Sequence, residues 1–150
     1  MKFKLLIVIT IGVVCISLIA FMFLNNGNYL ETSGWNSFKV ETNKKYPDIK
    51  DSYIYSIRPT LFIGYIIEND NINEINKIFD ETNNFLKVKG FLNEIQMAHE
   101  KKYGGSITQI IVEFRLESDT KGVLRQFSTF ISKDETSEQY IFENWQIQSN

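Results

Sequence analysis

The chain contains few of the side chains on which nucleophilic and metal chemistry depend. Its 150 residues include one cysteine, Cys15, and one histidine, His99. A single cysteine cannot form an internal disulfide, and zinc sites are built from several Cys and His ligands. A serine or cysteine nucleophile would have to use His99 as its base, because no second histidine is present. We therefore expect neither a cofactor nor a metal centre.

Clusters of basic residues are also missing. The chain has 16 Lys and Arg residues against 18 Asp and Glu residues, which gives a formal net charge of −2. Proteins that bind nucleic acid through its phosphates carry basic patches or stripes. We therefore expect no nucleic-acid partner.

Charge is absent from the stretch Leu5–Leu24, LLIVITIGVVCISLIAFMFL. Twenty residues form a helix of roughly 30 Å, the thickness of the hydrocarbon core of a bilayer. Lys2 and Lys4 precede the stretch, and positive residues favour the cytoplasmic side. We interpret residues 1–24 as a transmembrane signal-anchor, 25–37 as a spacer and 38–150 as an extracytoplasmic domain. The chain would then be a single-pass bacterial cell-membrane protein with a cytoplasmic N-terminus and its C-terminal domain outside.

Two alternatives for this N-terminal stretch are open. A cleaved signal peptide has an apolar region of about 7–15 residues and ends in small residues. The present stretch is longer and ends in bulky residues from Phe21, but cleavage near Ala20 would release a secreted protein. Lipidation at Cys15 is disfavoured, because Val14 precedes it and the apolar stretch continues beyond it.

Alternating apolar residues predict strands in the first half of the domain. Phe38 and Val40 indicate a short edge strand, and 43–50 indicates a loop. Strands are expected at about 53–57 and 60–67, separated by Pro59, which cannot donate to a sheet ladder. The second strand is nearly all apolar, so it should be central or buried on both faces. Gly64 within it suggests a bulge or a close approach by the helix.

Helical spacing of apolar residues follows the two strands. Asn71 and Glu74 have the spacing of a capping box, which places a helix start at about residue 72. The apolar face continues to about residue 102, where Lys101 and Lys102 suit a helix C-terminus. Gly90 interrupts the pattern. We favour one long helix over two helices that meet near Lys89 and Gly90.

The last part of the chain predicts three strands joined by short turns. Residues 107–117 alternate cleanly, with Ile110, Val112, Phe114 and Leu116 on one face and Ile111, Glu113, Arg115 and Glu117 on a solvated face. Strands at 123–132 and 139–148 complete a meander. The predicted order is β-β-α-β-β-β. The predicted fold class is α+β: an N-terminal transmembrane helix, then a two-layer sandwich with a mainly antiparallel sheet covered by one long or broken helix.

Titratable residues give no catalytic motif. His99 falls on the inward side of the helical pattern, which indicates a structural histidine; a functional role would pair it with Glu94 or Glu100. The carboxylate pairs Asp80–Glu81 and Asp134–Glu135 are interpreted as solvated surface. Asp70–Glu74 lacks the glycine and distal Glu of a calcium loop, and helix capping explains it better.

Aromatic residues provide the remaining functional signal, because there are more of them than one face of a sheet can bury. If the outward ones cluster, they form a patch of the kind that marks a partner surface. The candidate residues are Tyr140, Phe142 and Trp145. The first hypothesis is an anchored binding domain whose partner is a membrane protein, a wall component or a second copy. The alternative is a cell-surface hydrolase that uses carboxylates or His99.

Overall fold

The computed structural model describes residues 29–88, 90–134 and 139–149. The predicted anchor Leu5–Leu24 and residues 25–28 of the predicted spacer lie outside this part of the chain. Among the described residues, no helix is long and apolar enough to cross a bilayer.

The described chain is an α+β domain with a mostly antiparallel sheet. Its elements, in chain order, are α1 (Ser33–Lys45), β1 (Ile49–Ile57), β2 (Thr60–Ile67), α2 (Ile72–Leu86), α3 (Phe91–Tyr103), β3 (Gln109–Leu116), β4 (Arg125–Lys133), β5 (Tyr140–Phe142) and β6 (Gln146–Ser149).

The six-stranded sheet has the order β1-β2-β3-β4-β5, and β6 also pairs with β4. Strands β2 and β3 are parallel, since the two helices between them carry the chain back to the end of the sheet where β2 began. All other pairs are antiparallel, as the predicted meander required. The strand predicted at 139–148 is divided into β5 and β6.

Helix α1 corrects the prediction for the start of the domain. Ser33 to Ser37 were expected in the spacer, Phe38 and Val40 in an edge strand, and Asn43 in a loop, but all are helical. Thr32 caps the helix, with Oγ1 accepting from the backbone N of Trp35 at 3.2 Å. Trp35, Phe38 and Thr42 have helical spacing and face the core, whereas Val40 is exposed. Phe38, Lys39 and Val40 alternate in polarity as a strand would, but three residues are too few to distinguish a strand from a helix.

Two helices replace the single helix that we favoured over residues 72–102. Helix α2 ends at Leu86 and α3 begins at Phe91, after Gly90 with φ of +99°. A left-handed residue cannot continue a right-handed helix, so the chain turns at the glycine. The ring centroids of Phe85 and Phe91 lie 4.0 Å apart across this turn. The predicted cap is confirmed, because Asn71 Oδ1 accepts from the backbone N of Asn73 and Glu74.

All three helices pack on one face of the sheet. On this face Ser52 contacts Asn43 of α1, Tyr65 contacts Thr82 of α2 and Ser56 contacts His99 of α3. The sheet side of the core consists of alternate residues of the central strands, including Leu61, Ile63, Ile110, Val112, Phe114 and Phe127. Strand β2 lies between β1 and β3 and is almost completely buried, as its apolar sequence predicted.

Replacing Gly90 distinguishes two helices that meet at a left-handed glycine from one continuous helix. A Cβ at this position would meet no atom within 4 Å, so Gly90→Ala changes only the backbone preference. We expect the substitution to lower the free energy of unfolding by about 1–2 kcal/mol, because alanine disfavours the left-handed region. Urea denaturation measures the change, and Asn93→Ala on the exposed side of α3 is the control. A gain of about 1 kcal/mol would instead indicate a continuous helix.

Candidate functional site

The face of the sheet opposite the helices carries three rows of side chains that strand register brings together. The first row is Ile57, Thr60, Gln109 and Phe130; the second is Tyr55, Phe62, Ile111 and Ser128; the third is Tyr53, Gly64, Glu113 and Gln126. Tyr29 extends the second row beyond β1 through a bridge to Tyr55. We call these residues the outer face.

A carboxylate is buried in the third row. Glu113 is only 3% exposed, although the sequence placed it on a solvated face. Its Oε1 accepts from the Tyr53 hydroxyl at 3.0 Å, and both its oxygens accept from the Arg115 guanidinium, at 3.1 and 3.3 Å. A buried charge requires such partners, since the loss of hydration is not otherwise compensated. The expectation of a solvated Glu113 is therefore wrong, because Tyr53 and Arg115 cover it.

Arg115 also connects this cluster to the turn between β3 and β4. Its Nη1 donates to the backbone oxygens of Thr120 at 2.9 Å and Lys121 at 3.1 Å. The hydrogen bonds and the charge of Glu113 raise the pKa of Arg115. One guanidinium thus fixes both the buried carboxylate and the turn.

Gly64 makes room for the ring of Tyr53. The two residues are cross-strand partners, and a Cβ on Gly64 would overlap the phenol ring. The sequence suggested a bulge or a close approach by the helix at Gly64. The close approach exists, but it comes from Tyr53 on the face opposite the helices.

Three tyrosines form an ordered aromatic cluster on the outer face. Tyr55 stacks on Phe62 with ring centroids 4.7 Å apart and planes at 4°. Tyr29 contacts Tyr53 at 6.3 Å and Tyr55 at 6.2 Å through ring edges. Burial and then the negative charge of Glu113 raise the pKa of Tyr55 to about 12 and shift the pKa of Tyr53 further in the same direction. The two phenols therefore stay neutral hydrogen-bond donors at physiological pH.

The three aromatic residues predicted as a partner surface lie elsewhere. Tyr140, Phe142 and Trp145 are half-buried and pack against the hydrophobic core. Trp145 Nε1 donates to Asn83 Oδ1 of α2 at 3.1 Å, and its ring meets that of Phe79 edge-on at 5.0 Å. The structure does not bring these residues together with the outer-face tyrosines. Their role as a partner surface stays a prediction.

The outer-face cluster was not predicted as a site, although the sequence contains part of its signal. The alternation of Tyr53, Tyr55 and Ile57 placed three large side chains on one face of β1. Gly64 marked a position where something approaches closely. What the sequence did not show is the register that sets Tyr53 opposite Gly64 and beside Glu113.

His99 has the structural environment that the helical pattern predicted. It is 0% exposed, and its Nδ1 lies 3.0 Å from Ser56 Oγ. Neither predicted acidic partner pairs with it: Glu94 Oε1 accepts from the backbone N and Oγ of Ser33, and Glu100 Oε1 accepts from Gln96 Nε2. Burial and then the charge of Arg58 lower the pKa of His99, against the opposing charge of Glu100.

The remaining acidic candidates form no centre within the described residues. Glu81 pairs with Lys45 and accepts from the Tyr46 hydroxyl at 2.9 Å, so it connects α1 to α2. Glu135 lies outside the described residues. No group of three or more His, Cys, Asp or Glu side chains that could bind a metal ion occurs in the described ranges.

Comparisons with known proteins give no relative. The chain matches no protein-family model, and no curated protein or solved structure is significantly similar to it. The outer face is therefore interpreted from its own geometry.

The contact between Tyr53 and Gly64 predicts a measurable coupling. We expect Gly64→Ala to lower the free energy of unfolding by about 1–3 kcal/mol, since the added methyl displaces the ring. In a Tyr53→Ala background the same substitution should cost much less, because the overlapping ring is gone. A double-mutant cycle in urea denaturation measures both costs. Equal costs in the two backgrounds would contradict the contact.

The environment of His99 predicts how stability depends on pH. Its folded pKa lies below the ordinary value of 6.5, so the unfolded chain binds this proton more readily than the folded chain. The contribution of His99 to stability is therefore complete above pH 6.5 and decreases as the pH falls below that value. Chemical denaturation from pH 8 to 5 measures this slope. His99→Gln should remove it, and a slope unchanged in that variant would refute the assignment.

Proposed function

We propose that the chain is a single-pass membrane protein whose domain outside the cytoplasmic membrane binds a partner through the outer face. The uncharged stretch Leu5–Leu24 supports the anchor, and Lys2 and Lys4 before it support a cytoplasmic N-terminus. The described α+β domain follows as a helix-covered sheet, the globular part of the predicted two-layer sandwich. A membrane protein, a wall component or a second copy would fit as a partner.

The ordered tyrosine cluster is the observation that carries the binding role. Tyrosine is enriched at protein interfaces, because its ring provides apolar area and its hydroxyl provides a hydrogen bond. Here Tyr53 is fixed by Gly64 and Glu113, while Tyr55 is fixed by its stacking on Phe62. Side chains that are ordered before binding lose less conformational entropy on binding. The outer face is therefore suited to binding without rearrangement.

The hydrolase alternative gains no support from the described residues. His99 is in the core, where solvent does not reach it, and its one hydrogen-bond contact is with Ser56. Glu94 and Glu100, the two acids considered as its partners, accept hydrogen bonds from Ser33 and Gln96 instead. We therefore propose binding and not hydrolysis.

Two introduced cysteines test the proposal in cells. Replacing the only cysteine, Cys15→Ser, provides a background without thiols. Met97→Cys places a thiol on the exposed surface of α3, and Ser128→Cys places one in the second row of the outer face. With a small membrane-impermeant maleimide on intact cells that keep their wall, we expect rapid labelling at position 97 and protection at position 128. Labelling at 128 should approach that at 97 after purification in detergent.

Each part of the proposal has its own contrary result. Labelling of position 97 that requires cell lysis would refute the orientation. Equal labelling of the two positions in cells would show that nothing occupies the outer face. Recovery of the labelled chain from the medium would support a cleaved signal and a secreted protein instead of an anchor.

A further inference from the structure

The outer face is amphipathic along the direction of its strands. At the end nearest Pro59, large apolar side chains are exposed: Ile57 at 55%, Phe130 at 50% and Ile141, which pairs with Ser132 just beyond the first row, at 54%. Tyr29, which extends the second row beyond β1, is 52% exposed. At the opposite end lie Glu113, Arg115 and Asp51, which are paired charges. The apolar residues are therefore concentrated at one end.

The direction of the backbone at Tyr29 relates this apolar end to the N-terminal part of the chain. Tyr29 and Leu30 run antiparallel to β1, with a bridge from Tyr29 to Tyr55 and a hydrogen bond of 3.0 Å from Leu30 N to Ile54 O. From Tyr29 to Leu30 the backbone consequently runs away from the Ile57 end of β1 and toward the Tyr53 end. The chain thus enters the described domain from its apolar end.

The length of chain before Tyr29 limits the distance of this end from the membrane. Four residues separate Leu24, the last residue of the predicted anchor, from Tyr29. Five steps along the backbone span at most about 17 Å, at about 3.4 Å each. The predicted spacer of residues 25–37 would allow a longer distance. The reach is shorter because Leu30 is already in the core and α1 begins at Ser33.

We infer that the apolar end of the outer face lies in the headgroup region of the bilayer that holds the anchor. This inference rests on the proposed function, and it assigns the occupant of one end of the same face. Aromatic and branched apolar side chains settle at the membrane interface, where rings meet acyl chains and hydroxyls meet headgroups. The polar end, with Tyr53 and the Glu113–Arg115 pair, then points away from the membrane.

Two basic side chains support this placement. Lys102 Nζ donates to the backbone oxygen of Tyr29 at 3.0 Å, and Arg58, next to Ile57, is exposed. Long basic side chains near a membrane reach lipid phosphates while their methylene groups cover apolar surface. A bilayer also has an advantage over a second copy as the occupant, because the short tether keeps lipid within reach of every copy.

Fluorescence quenching in vesicles tests the inference on the full chain. Single cysteines are introduced in the Cys15→Ser background and labelled with a polarity-sensitive fluorophore. Ile57→Cys and Phe130→Cys report on the apolar end, Gln126→Cys reports on the polar end of the same face, and Met97→Cys is the helix-side control. The labelled chains are reconstituted into phosphatidylcholine vesicles, with and without lipid that carries a shallow spin label. We expect quenching at 57 and 130 to be several-fold stronger than at 126 and 97.

The experiment can refute the membrane placement of the apolar end separately from the proposed anchor. Chains that do not float with the vesicles would refute the anchor and the inference together. Chains that float but show equal quenching at all four positions would refute the inference alone. Energy transfer between labels at position 57 that rises with the protein-to-lipid ratio, without lipid quenching, would assign the surface to a second copy. Ile141→Cys, at an exposed edge, replaces any variant whose melting temperature is lowered.

Discussion

A sheet has two faces, and the three helices of the described chain all pack on one of them. The other face must therefore be protected from water by its own side chains or by something outside the domain. In this chain the protection is partial. Tyr53 covers Gly64 and Glu113, Tyr55 covers Phe62, and Arg115 neutralises the buried carboxylate of Glu113. The features that distinguish the outer face follow from this constraint.

The buried carboxylate of Glu113 favours one register of strands β1, β2 and β3. Glu113 must meet Tyr53 of β1, which lies two strands away in the sheet, and their hydrogen bond therefore requires the observed register. A slip of one residue would turn Glu113 into the core on the other face of the sheet, without a partner. Arg115 also holds the turn before β4 through its bonds to the backbone oxygens of Thr120 and Lys121. The Tyr53–Glu113 hydrogen bond thus depends on register, whereas the ion pair within β3 compensates for the buried charge.

Local sequence pattern predicted most of the strands and the cap at Asn71, because these depend on residues that are neighbours in the chain. It failed where local patterns coincide: Phe38 and Val40 alternate like a strand, yet Phe38 belongs to the helical set with Trp35 and Thr42. The apolar face across residues 85–92 suggested continuity, but only the backbone of Gly90 shows the turn. The burial of Glu113 depends on Tyr53, 60 residues earlier in the chain. The alternation of the strand predicts which face of the sheet carries Glu113. It does not predict which side chains will bury it.

The proposed anchor would give the polarity of the outer face and the position of Tyr29 a common physical reason. A domain tied to a bilayer through a short segment cannot turn its point of attachment far from the lipid, so the side chains around that point meet headgroups repeatedly. Buried or acidic charges there would lose hydration at each encounter, whereas Ile57 and Phe130 would not, and the long side chain of Arg58 can reach lipid phosphates. The buried ion pair of this face, Glu113 and Arg115, lies two rows or more from the end nearest Pro59. The distribution of side chains along β1 and β3 is therefore the one that a short tether favours.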